Sequence, residues 1–279
     1  MFKRPPLQFI GNKYRFREQY IEQITKFNNP NYIFVDLFGG SGYLSHITKH
    51  VHPDNEVIYN DFDGYKERVE QIEKTDKIID EIKAKFEENN VEYGAKASRE
   101  LSDEIALMLK QKEDNGEYID WRTLSSQLCF TTWICQNYEK MKGCFLYNKL
   151  HKREIITKDY FNGLRIIKDD WKNIYNNFKD NKNIVWIIDP PYPLTAQTQF
   201  ASEIDMKEVC AVIDIMFTQP RVVYFCSNTS GVEDMIVWKY NNKFNELYDK
   251  YSRINYAGGR AQKSYTDLMF VSKKNRKIE

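Results

Sequence analysis

Four short runs of apolar residues constrain the fold of this chain more than any other feature of its sequence. They are residues 32–35, 57–59, 184–188 and 222–226. Unbroken apolar runs of this length are typical of strands that are buried on both faces of a parallel sheet. Segments with helical spacing separate them, and a further strand is indicated at 268–271. We therefore predict an α/β fold with a doubly wound, mostly parallel sheet.

A long interval interrupts this alternation of strands and helices. About 120 residues separate Asp61 from Ile184, far more than a crossover between neighbouring strands needs. Mixed charge at 66–117 is typical of solvated helical faces. A helix is also predicted with a set of apolar residues on one side, namely Trp121, Leu124, Leu128 and Cys135. We predict a sheet domain of residues 1–65 and 155–279 and an inserted, mainly helical domain of residues 66–154.

The composition restricts the classes of function without choosing one. The formal net charge is +1, and neither a membrane span nor a signal peptide is indicated, so we expect a soluble, cytoplasmic protein. The five cysteines form no CxxC pair, which argues against a disulfide framework or a zinc knuckle. We predict no metal site. The weak candidate ligands are His46, His50 and His52, and separately Cys129, Cys135, Cys144 and His151.

The first apolar run leads into a glycine-rich loop, Asp36-Leu37-Phe38-Gly39-Gly40-Ser41-Gly42. Glycines let the backbone turn sharply and approach a ligand. The spacing is neither that of a P-loop nor GxGxxG. Asp36, together with Asp61 at the end of the next strand, suits a nucleoside ligand, because carboxylates there can accept hydrogen bonds from ribose hydroxyls. A glycine-rich turn that binds no cofactor would show the same residues.

A second unusual loop, Asp189-Pro190-Pro191-Tyr192, follows the run at 184–188. The prolines fix two φ angles and make the loop stiff and extended. It presents two acceptors, the Asp189 carboxylate and the Pro190 carbonyl, beside the ring of Tyr192. These could hold both hydrogens of an adenine amino group and turn its lone pair toward a methyl donor, while stacking on the ring contributes about 1 to 3 kcal/mol. A proline-capped strand whose aspartate caps a turn is the structural alternative.

The order of these motifs resembles the alpha class of amino-methyltransferases, the D12 family of Dam-type adenine-N6 DNA methylases. The resemblance implies a doubly wound Rossmann-like methyltransferase sheet with an inserted target-recognition domain. The family prefers tryptophan at the position of Phe9 and glycine at that of Asn12. The matching segments are Phe9-Ile10-Gly11-Asn12-Lys13, Asp36 to Gly42, Asn60-Asp61 and Asp189 to Tyr192, with weaker likeness at Asp170-Trp171, Ser227-Asn228 and Asp267-Leu268-Met269.

The resemblance also implies S-adenosyl-L-methionine as the cofactor. Phe9 and Lys13 would flank its methionine end, with Lys13 pairing the carboxylate. Asp61 would accept from the ribose. Asp170, or Asp169 in its place, would lie with Trp171 near the cofactor adenine. The other cofactor-binding residues implied are Asp36, Phe38, Gly39, Gly40, Ser41, Gly42 and Asp189, and the catalytic residues are Asp189, Pro190, Pro191 and Tyr192.

A basic segment from Lys140 to Arg153 contains no acidic residue and includes Phe145 and Tyr147. We predict that it is a hairpin or loop that contacts DNA phosphates and offers a ring to stack on a base. An ordinary basic surface loop would have the same composition. The predicted DNA-binding residues are Arg122, Lys140, Lys142, Tyr147, Lys149, Lys152 and Arg153.

These features together predict a site-specific enzyme that transfers a methyl group to adenine N6 in double-stranded DNA. The amino group is paired within a duplex, so the target base must be flipped out. We expect a monomer without a membrane partner, and a partner restriction endonuclease is compatible with this function. Two alternatives stay open: the same chemistry on RNA or another amino acceptor, and a catalytically silent nucleic-acid-binding module.

Overall fold

The described part of the protein forms two compact units. The computed structural model describes residues 1–130, 134–150, 157–192, 204–240, 243–256 and 264–273. The sheet unit comprises residues 1–5, 11–65 and 159–279, and the helical unit comprises residues 6–10 and 66–158.

A seven-stranded sheet organises the sheet unit. Its strands follow the order β3-β2-β1-β4-β5-β7-β6. The first five are parallel, whereas β7 is antiparallel to β5 and β6. This mixed but mostly parallel sheet confirms the predicted fold class. The strands are β1 (Ile33–Asp36), β2 (Glu56–Asn60), β3 (Arg165–Ile167), β4 (Ile184–Ile188), β5 (Val222–Ser227), β6 (Tyr248–Tyr256) and β7 (Ser264–Ser272).

Eleven α-helices lie within the described residues, after a 3-10 turn at Tyr14–Phe16. None of the helices in this part of the chain has the length and apolar character needed to cross a membrane. The helices are α1 (Arg17–Ile24), α2 (Tyr43–Val51), α3 (Tyr65–Glu70), α4 (Ile72–Glu88), α5 (Arg99–Asp114), α6 (Trp121–Leu128), α7 (Tyr138–Met141), α8 (Trp171–Phe178), α9 (Met206–Thr218), α10 (Val232–Tyr240) and α11 (Lys243–Leu247).

Both faces of the sheet are covered, because side chains along a strand point alternately to opposite faces. In β4, Trp186 joins a core with residues of α9 and α10, whereas Val185 and Ile187 join a second core with residues of α1 and α2. All five residues of β4 are buried. This double burial explains why the sequence shows an unbroken apolar run rather than alternation.

The order of the strands determines where a ligand-binding crevice lies. β1 pairs with β2 on one side and with β4 on the other, so the direction of winding reverses between β1 and β4. Such a reversal opens a crevice at the carboxyl ends of the two strands, where α/β sheets bind ligands. Asp36 ends β1, and Asp189 directly follows β4. The glycine-rich loop and the proline loop therefore both begin at this crevice.

The structure adds one strand to the sequence prediction and shortens one helix. β3, which was not predicted, lies between Asp61 and Ile184 and pairs with β2 at the edge of the sheet. The predicted helix carrying Cys135 ends earlier, at Leu128. There Cys129 adopts an extended backbone, and the Leu128 carbonyl accepts a hydrogen bond from the Tyr147 amide at 2.7 Å. The segment that contains Tyr147 thus occupies the carbonyl to which a further turn of α6 would donate, and the helix ends there.

The helical unit has its own apolar core, formed by residues from α4, α5, α6 and the segment after α7. It also buries an ion pair between Arg68 and Asp120, with Nε of the arginine 3.1 Å from Oδ2. Arg68 donates further to the Thr123 hydroxyl at 3.0 Å and to the Gln8 carbonyl at 3.3 Å. Because both charges are hydrogen-bonded, this pair offsets much of the cost of its burial.

Candidate active site

Asp36 presents an unsatisfied acceptor at the end of β1. Its carboxylate is buried, and Oδ2 accepts from the Ser45 hydroxyl at 2.6 Å. Oδ1 has no hydrogen-bond partner among the residues that the structure describes. Burial raises the pKa of this carboxyl from 3.8 to about 7; the Ser45 hydrogen bond opposes the rise and Asp189 adds to it. A buried acceptor of this kind suits a cationic donor from a ligand.

The glycine-rich loop is shaped by what lies against it. A Cβ on Gly39 would lie 2.2 Å from Cδ2 of Tyr59 and 2.8 Å from the Asn60 carbonyl oxygen. Gly40 and Gly42 have φ angles of +51° and +68°, which glycine adopts without the strain that a side chain would add. Gly42 then caps α2 at its N-terminus. The loop therefore needs glycine for close packing at one position and for backbone geometry at two.

Asp61 is fixed at the end of β2. The Tyr59 hydroxyl lies 2.8 Å from both Asp61 Oδ1 and the Gly40 carbonyl oxygen, and with a single hydrogen it donates to one of them at a time. The Tyr65 amide donates to the same Oδ1 at 2.6 Å. Burial, followed by the charge of Asp61, raises the pKa of Tyr59 well above 10.0, so the phenol remains a donor. The predicted ribose acceptor and the glycine-rich loop are thus tied together.

Asn60 links the ends of three strands. Its Nδ2 donates to the carbonyls of Leu37 and Asp169, at 3.0 Å each, and its Oδ1 accepts from the Asp169 amide at 3.2 Å. Asp170, predicted to lie near the cofactor adenine, is exposed and caps α8 by accepting from the Lys172 amide at 2.8 Å. The segment after β3 is therefore held beside the loop that follows β1.

Two aromatic side chains stand together at this end of the sheet. The ring centroids of Phe38 and Trp171 are 5.9 Å apart, with the planes tilted by 38°. Both side chains are half-buried and pack against the core that contains Trp186. Sequence analysis assigned both to the cofactor pocket, and the fold brings them into contact although more than a hundred residues separate them.

A buried ion pair organises the proline loop. Nζ of Lys13 lies 2.7 Å from Oδ2 of Asp189 and donates to the Gly11 carbonyl at 2.5 Å. Burial raises the pKa of the Asp189 carboxyl above 3.8, and the charge and hydrogen bond of Lys13 oppose this rise. Asp267, in β7, adds to it. The lysine therefore favours the ionised form of Asp189 in surroundings that disfavour charge.

Tyr192 lies beside Asp189. Its hydroxyl donates to Asp189 Oδ1 at 3.3 Å, and Nζ of Lys13 lies 5.4 Å from its ring centroid. Burial raises the pKa of Tyr192 well above 10.0, so the phenol keeps its proton. Pro190 is buried and Pro191 half-buried between the two. Lys13 thus lies against both Asp189 and the ring of Tyr192, at the two ends of the predicted catalytic loop.

The histidines considered as metal ligands are engaged by backbone groups. His46 Nε2 accepts from the Phe2 amide at 2.9 Å, and its Nδ1 lies 2.8 Å from the Tyr160 carbonyl oxygen. His50 Nδ1 lies 2.9 Å from the His46 carbonyl oxygen, and His52 Nε2 lies 2.9 Å from that of Ile24. Both nitrogens of His46 are therefore used in packing the chain.

Several of the predicted site residues belong to the helical unit. Phe9 is buried there. Arg122 lies on α6 and Lys140 on α7, whereas Lys142, Tyr147 and Lys149 follow α7. Lys152 and Arg153 fall outside the described residues. The predicted hairpin or loop therefore begins with a short helix, and Tyr147 forms an isolated antiparallel bridge with Lys96.

Cations and rings alternate around this bridge. Nζ of Lys96 lies 3.2 Å and Cζ of Arg99 3.8 Å from the ring centroid of Phe145. Nζ of Lys149 lies 4.9 Å from the ring centroids of both Phe130 and Tyr147. We call Lys96, Arg99, Phe130, Phe145, Tyr147 and Lys149 the basic-aromatic cluster. Sequence reasoning missed Lys96, Arg99 and Phe130, because they lie outside the basic segment and only the fold brings them to it.

Comparisons with known proteins agree with this arrangement. A model of the D12 class N6 adenine-specific DNA methyltransferases matches residues 9–262. The chain belongs to this family. It is also 27% identical, over 261 residues, to a Haemophilus influenzae protein named "Putative methyltransferase", covering 91% of this chain and 86% of that protein. Membership in the D12 class makes the chain an S-adenosylmethionine-dependent adenine methyltransferase whose substrate is DNA.

The family motifs alone did not reveal the contacts that shape the crevice of this D12 methyltransferase. Tyr59 packs into the space left by Gly39 and stacks at 5.8 Å on Phe161. Tyr160 donates to the Ser41 carbonyl at 3.0 Å. These aromatic residues come from β2 and from the segment before β3, and no local spacing in the sequence links them to the loop.

We expect Gly39→Ala to weaken cofactor binding at least about tenfold and to lower the free energy of unfolding by roughly 1 to 3 kcal/mol, because the new methyl collides with a buried ring. Gly94→Ala is the control for cofactor binding, because no atom lies within 4 Å of the added Cβ; its φ of +84° means that it too loses stability, through backbone strain alone. Calorimetric cofactor binding and thermal unfolding measure both effects. Unchanged affinity and stability in Gly39→Ala would contradict the packing described.

Asp36 should make the ligand-free protein less stable as pH rises. Its folded-state pKa of about 7 exceeds the ordinary 3.8, so the stabilisation is present below about pH 4 and is lost as pH rises through about 7. The shift corresponds to a change on the order of 4 kcal/mol. Unfolding measured from pH 4 to 8 should show a smaller decline in Asp36→Asn than in the wild type or in the exposed control Asp180→Asn. Equal declines would contradict this assignment.

Proposed function

We propose that this chain is a site-specific methyltransferase that acts on adenine N6 in duplex DNA after flipping the target base out of the helix. The observation that carries the proposal is the Asp189 carboxylate, held by Lys13 at the carboxyl end of β4. It adjoins the glycine-rich loop at the point where the winding of the sheet reverses. An acceptor for an amino group and a nucleoside-type pocket therefore share one crevice.

The residues of the crevice fit S-adenosylmethionine. Oδ1 of Asp36, which has no partner in the described part of the chain, would be a buried acceptor for the ammonium group of the methionine end. Asp61 would accept from the ribose, and Phe38 with Trp171 offers aromatic surface to the cofactor adenine. Lys13 uses two of its three hydrogens on Asp189 and Gly11, so the third can reach the methionine carboxylate. The bound cofactor supplies an electrophilic methyl group.

The proline loop would prepare the adenine amino group. Asp189 and the Pro190 carbonyl would each accept one N6 hydrogen, which turns the nitrogen lone pair out of conjugation with the ring. Tyr192, held beside Asp189, would stack on the base. When N6 gains the methyl group it loses a proton, and the nearest acceptor is the Asp189 carboxylate, whose pKa is already raised by burial.

Flipping follows from the burial of this site. Asp36 is buried and Asp189 is largely buried, and a stacked, paired base cannot deliver its amino group to such a crevice. Extrusion of one nucleotide costs a few kcal/mol. Favourable contacts with the rest of the duplex must offset that cost.

We assign those contacts to the helical unit as the target-recognition domain. Its basic-aromatic cluster combines cations that can contact phosphates with rings that can stack on bases. Phe130 is 62% exposed, whereas Lys96 and Arg99 cover the ring of Phe145. Phe130 and Tyr147 are therefore the better candidates for stacking on DNA. We further propose that the chain acts as a monomer and protects DNA from a partner restriction endonuclease.

The catalytic assignment is tested by Asp189→Ala and the isosteric Asp189→Asn. We expect both to reduce methyl transfer to duplex DNA at least about 1000-fold and to keep cofactor affinity within about tenfold, because Asp36 and the glycine-rich loop remain. The readouts are tritium transfer from labelled S-adenosylmethionine and equilibrium cofactor binding. Asp180→Ala, an exposed acid, should keep full activity. Full activity in either Asp189 variant, or labelling of RNA alone, would refute the proposal.

The DNA interface is tested by Lys142→Ala, which removes an exposed cation of the helical unit. If Lys142 contacts a phosphate, we expect the plot of log affinity against log salt concentration to become less steep by about 1. The loss of affinity should be the same for all DNA sequences. Lys110→Ala, on α5 of the same unit, is the control, because that lysine pairs with Asp114. Fluorescence anisotropy over a salt series measures the slope. An unchanged slope for Lys142→Ala would exclude this contact.

A further inference from the structure

Three cysteines converge in the helical unit although nothing in their spacing suggests it. Cys129, Cys135 and Cys144 are separated by six and nine positions, unlike the close pairs of common zinc motifs. Their sulfur atoms all lie within 4.8 Å of one another. Cys129 follows α6, and the other two flank α7. Sequence analysis predicted no metal here, because the convergence depends on the turn that ends α6.

We propose that these three cysteines bind a zinc ion. Zinc with Zn–S bonds of about 2.3 Å holds tetrahedral thiolates about 3.8 Å apart, so the sulfurs need to approach one another by at most about 1 Å. Three thiolates take three of the four positions of the ion. Cys144 is half-buried whereas Cys129 and Cys135 are buried, so one side of the site is open to a solvent molecule as the fourth ligand.

The surroundings of the sulfurs suit a structural metal site. Cys129 and Cys135 belong to the apolar core of the helical unit, and Cys144 packs against it. As protonated thiols, Cys135 and Cys144 both donate to one backbone oxygen, that of Lys140, at 3.3 and 3.4 Å, and they would release these protons on binding zinc. Both side chains therefore already point to one place. Burial in apolar surroundings keeps water from the sulfurs of Cys129 and Cys135, which leaves the side of Cys144 for the solvent ligand.

A positively charged side chain lies near the proposed zinc site. Three thiolates and one zinc ion carry a net charge of −1. The Arg99 guanidinium donates to the Gly143 carbonyl, next to Cys144 in the chain. Its positive charge can offset the excess negative charge of the site.

Zinc at this position would cross-link the end of α6 with both ends of α7. α7 carries Lys140, and Lys142 follows it directly. The ion would thus fix a four-residue helix that has little stability of its own and would hold the basic residues in place. This role is independent of methyl transfer, so the site can be tested without measuring activity.

The test is the metal content of the full chain, expressed with added zinc and purified without chelators. We expect one zinc ion per chain by plasma mass spectrometry in the wild type and in the control Cys210→Ser, whose half-buried thiol lies on α9. Cys144→Ser should lose the ion and keep its far-ultraviolet circular dichroism. If Cys144→Ser does not fold, cobalt(II) titration of the metal-free wild type, read by thiolate-to-cobalt charge-transfer absorption, tests the same site.

Several results would overturn the proposal. They are wild-type protein that contains no zinc and shows no cobalt–thiolate absorption, zinc retained in a folded Cys144→Ser variant, or a mass two hydrogens short that marks a disulfide within the cluster. Loss of zinc from Cys210→Ser would also contradict it. Methyl transfer could fail while zinc is bound, or persist without it, so this proposal and the proposed function fail separately.

Discussion

The buried ion pair between Lys13 and Asp189 is the interaction on which the site depends. The sheet places two carboxylates, Asp36 and Asp189, at the ends of adjacent strands. Burial raises the pKa of each, and the charge of Asp189 adds to the rise at Asp36 while that of Asp267 adds to the rise at Asp189. In that environment an unaided aspartate tends to take up a proton and stops being a pure acceptor. Lys13, 2.7 Å away, opposes this change. Its salt bridge therefore favours the ionised carboxylate that the proposed role of Asp189 toward the adenine amino group requires, and the hydroxyl of Tyr192 donates to the other oxygen.

The pair links the sheet topology to the chemistry. Asp36 is left with one unpartnered oxygen within the described structure, whereas Asp189 is hydrogen-bonded on both sides. Asp36 is thus available to a cationic ligand, whereas the proposed role of Asp189 is to accept from a neutral amino group. Asn60 and Tyr59 fix the surrounding loops by bonding to three strand ends. The crevice is therefore organised by hydrogen bonds within the sheet unit, before any ligand contributes.

The sequence allowed the central sheet and the two loops to be predicted, because strands buried on both faces leave unbroken apolar runs. It did not reveal β3, which consists of an exposed arginine followed by two half-buried isoleucines, so no apolar run marks this edge strand. The helical spacing also led us to extend α6 to Cys135. It could not show that the Tyr147 amide donates to the Leu128 carbonyl and so ends the helix there. Other features could not be predicted because they depend on contacts between residues far apart in the chain. They are the packing of Tyr59 against Gly39, the contact of Phe130 with Lys149, and the convergence of the three cysteine sulfurs.

Sequencing of modified bases in DNA from cells that lack adenine methylation of their own and express this chain tests its central chemistry most directly. If Asp189 and its loop present adenine N6 to the methyl donor, N6-methyladenine will occur at one recurring sequence, and the same positions will be unmodified in cells that express Asp189→Asn. Methylation of cytosine N4, or N6-methyladenine that persists with the asparagine variant, would contradict the role given to this carboxylate. DNA without any methylated adenine, from cells that contain the folded wild-type protein, would contradict the activity itself.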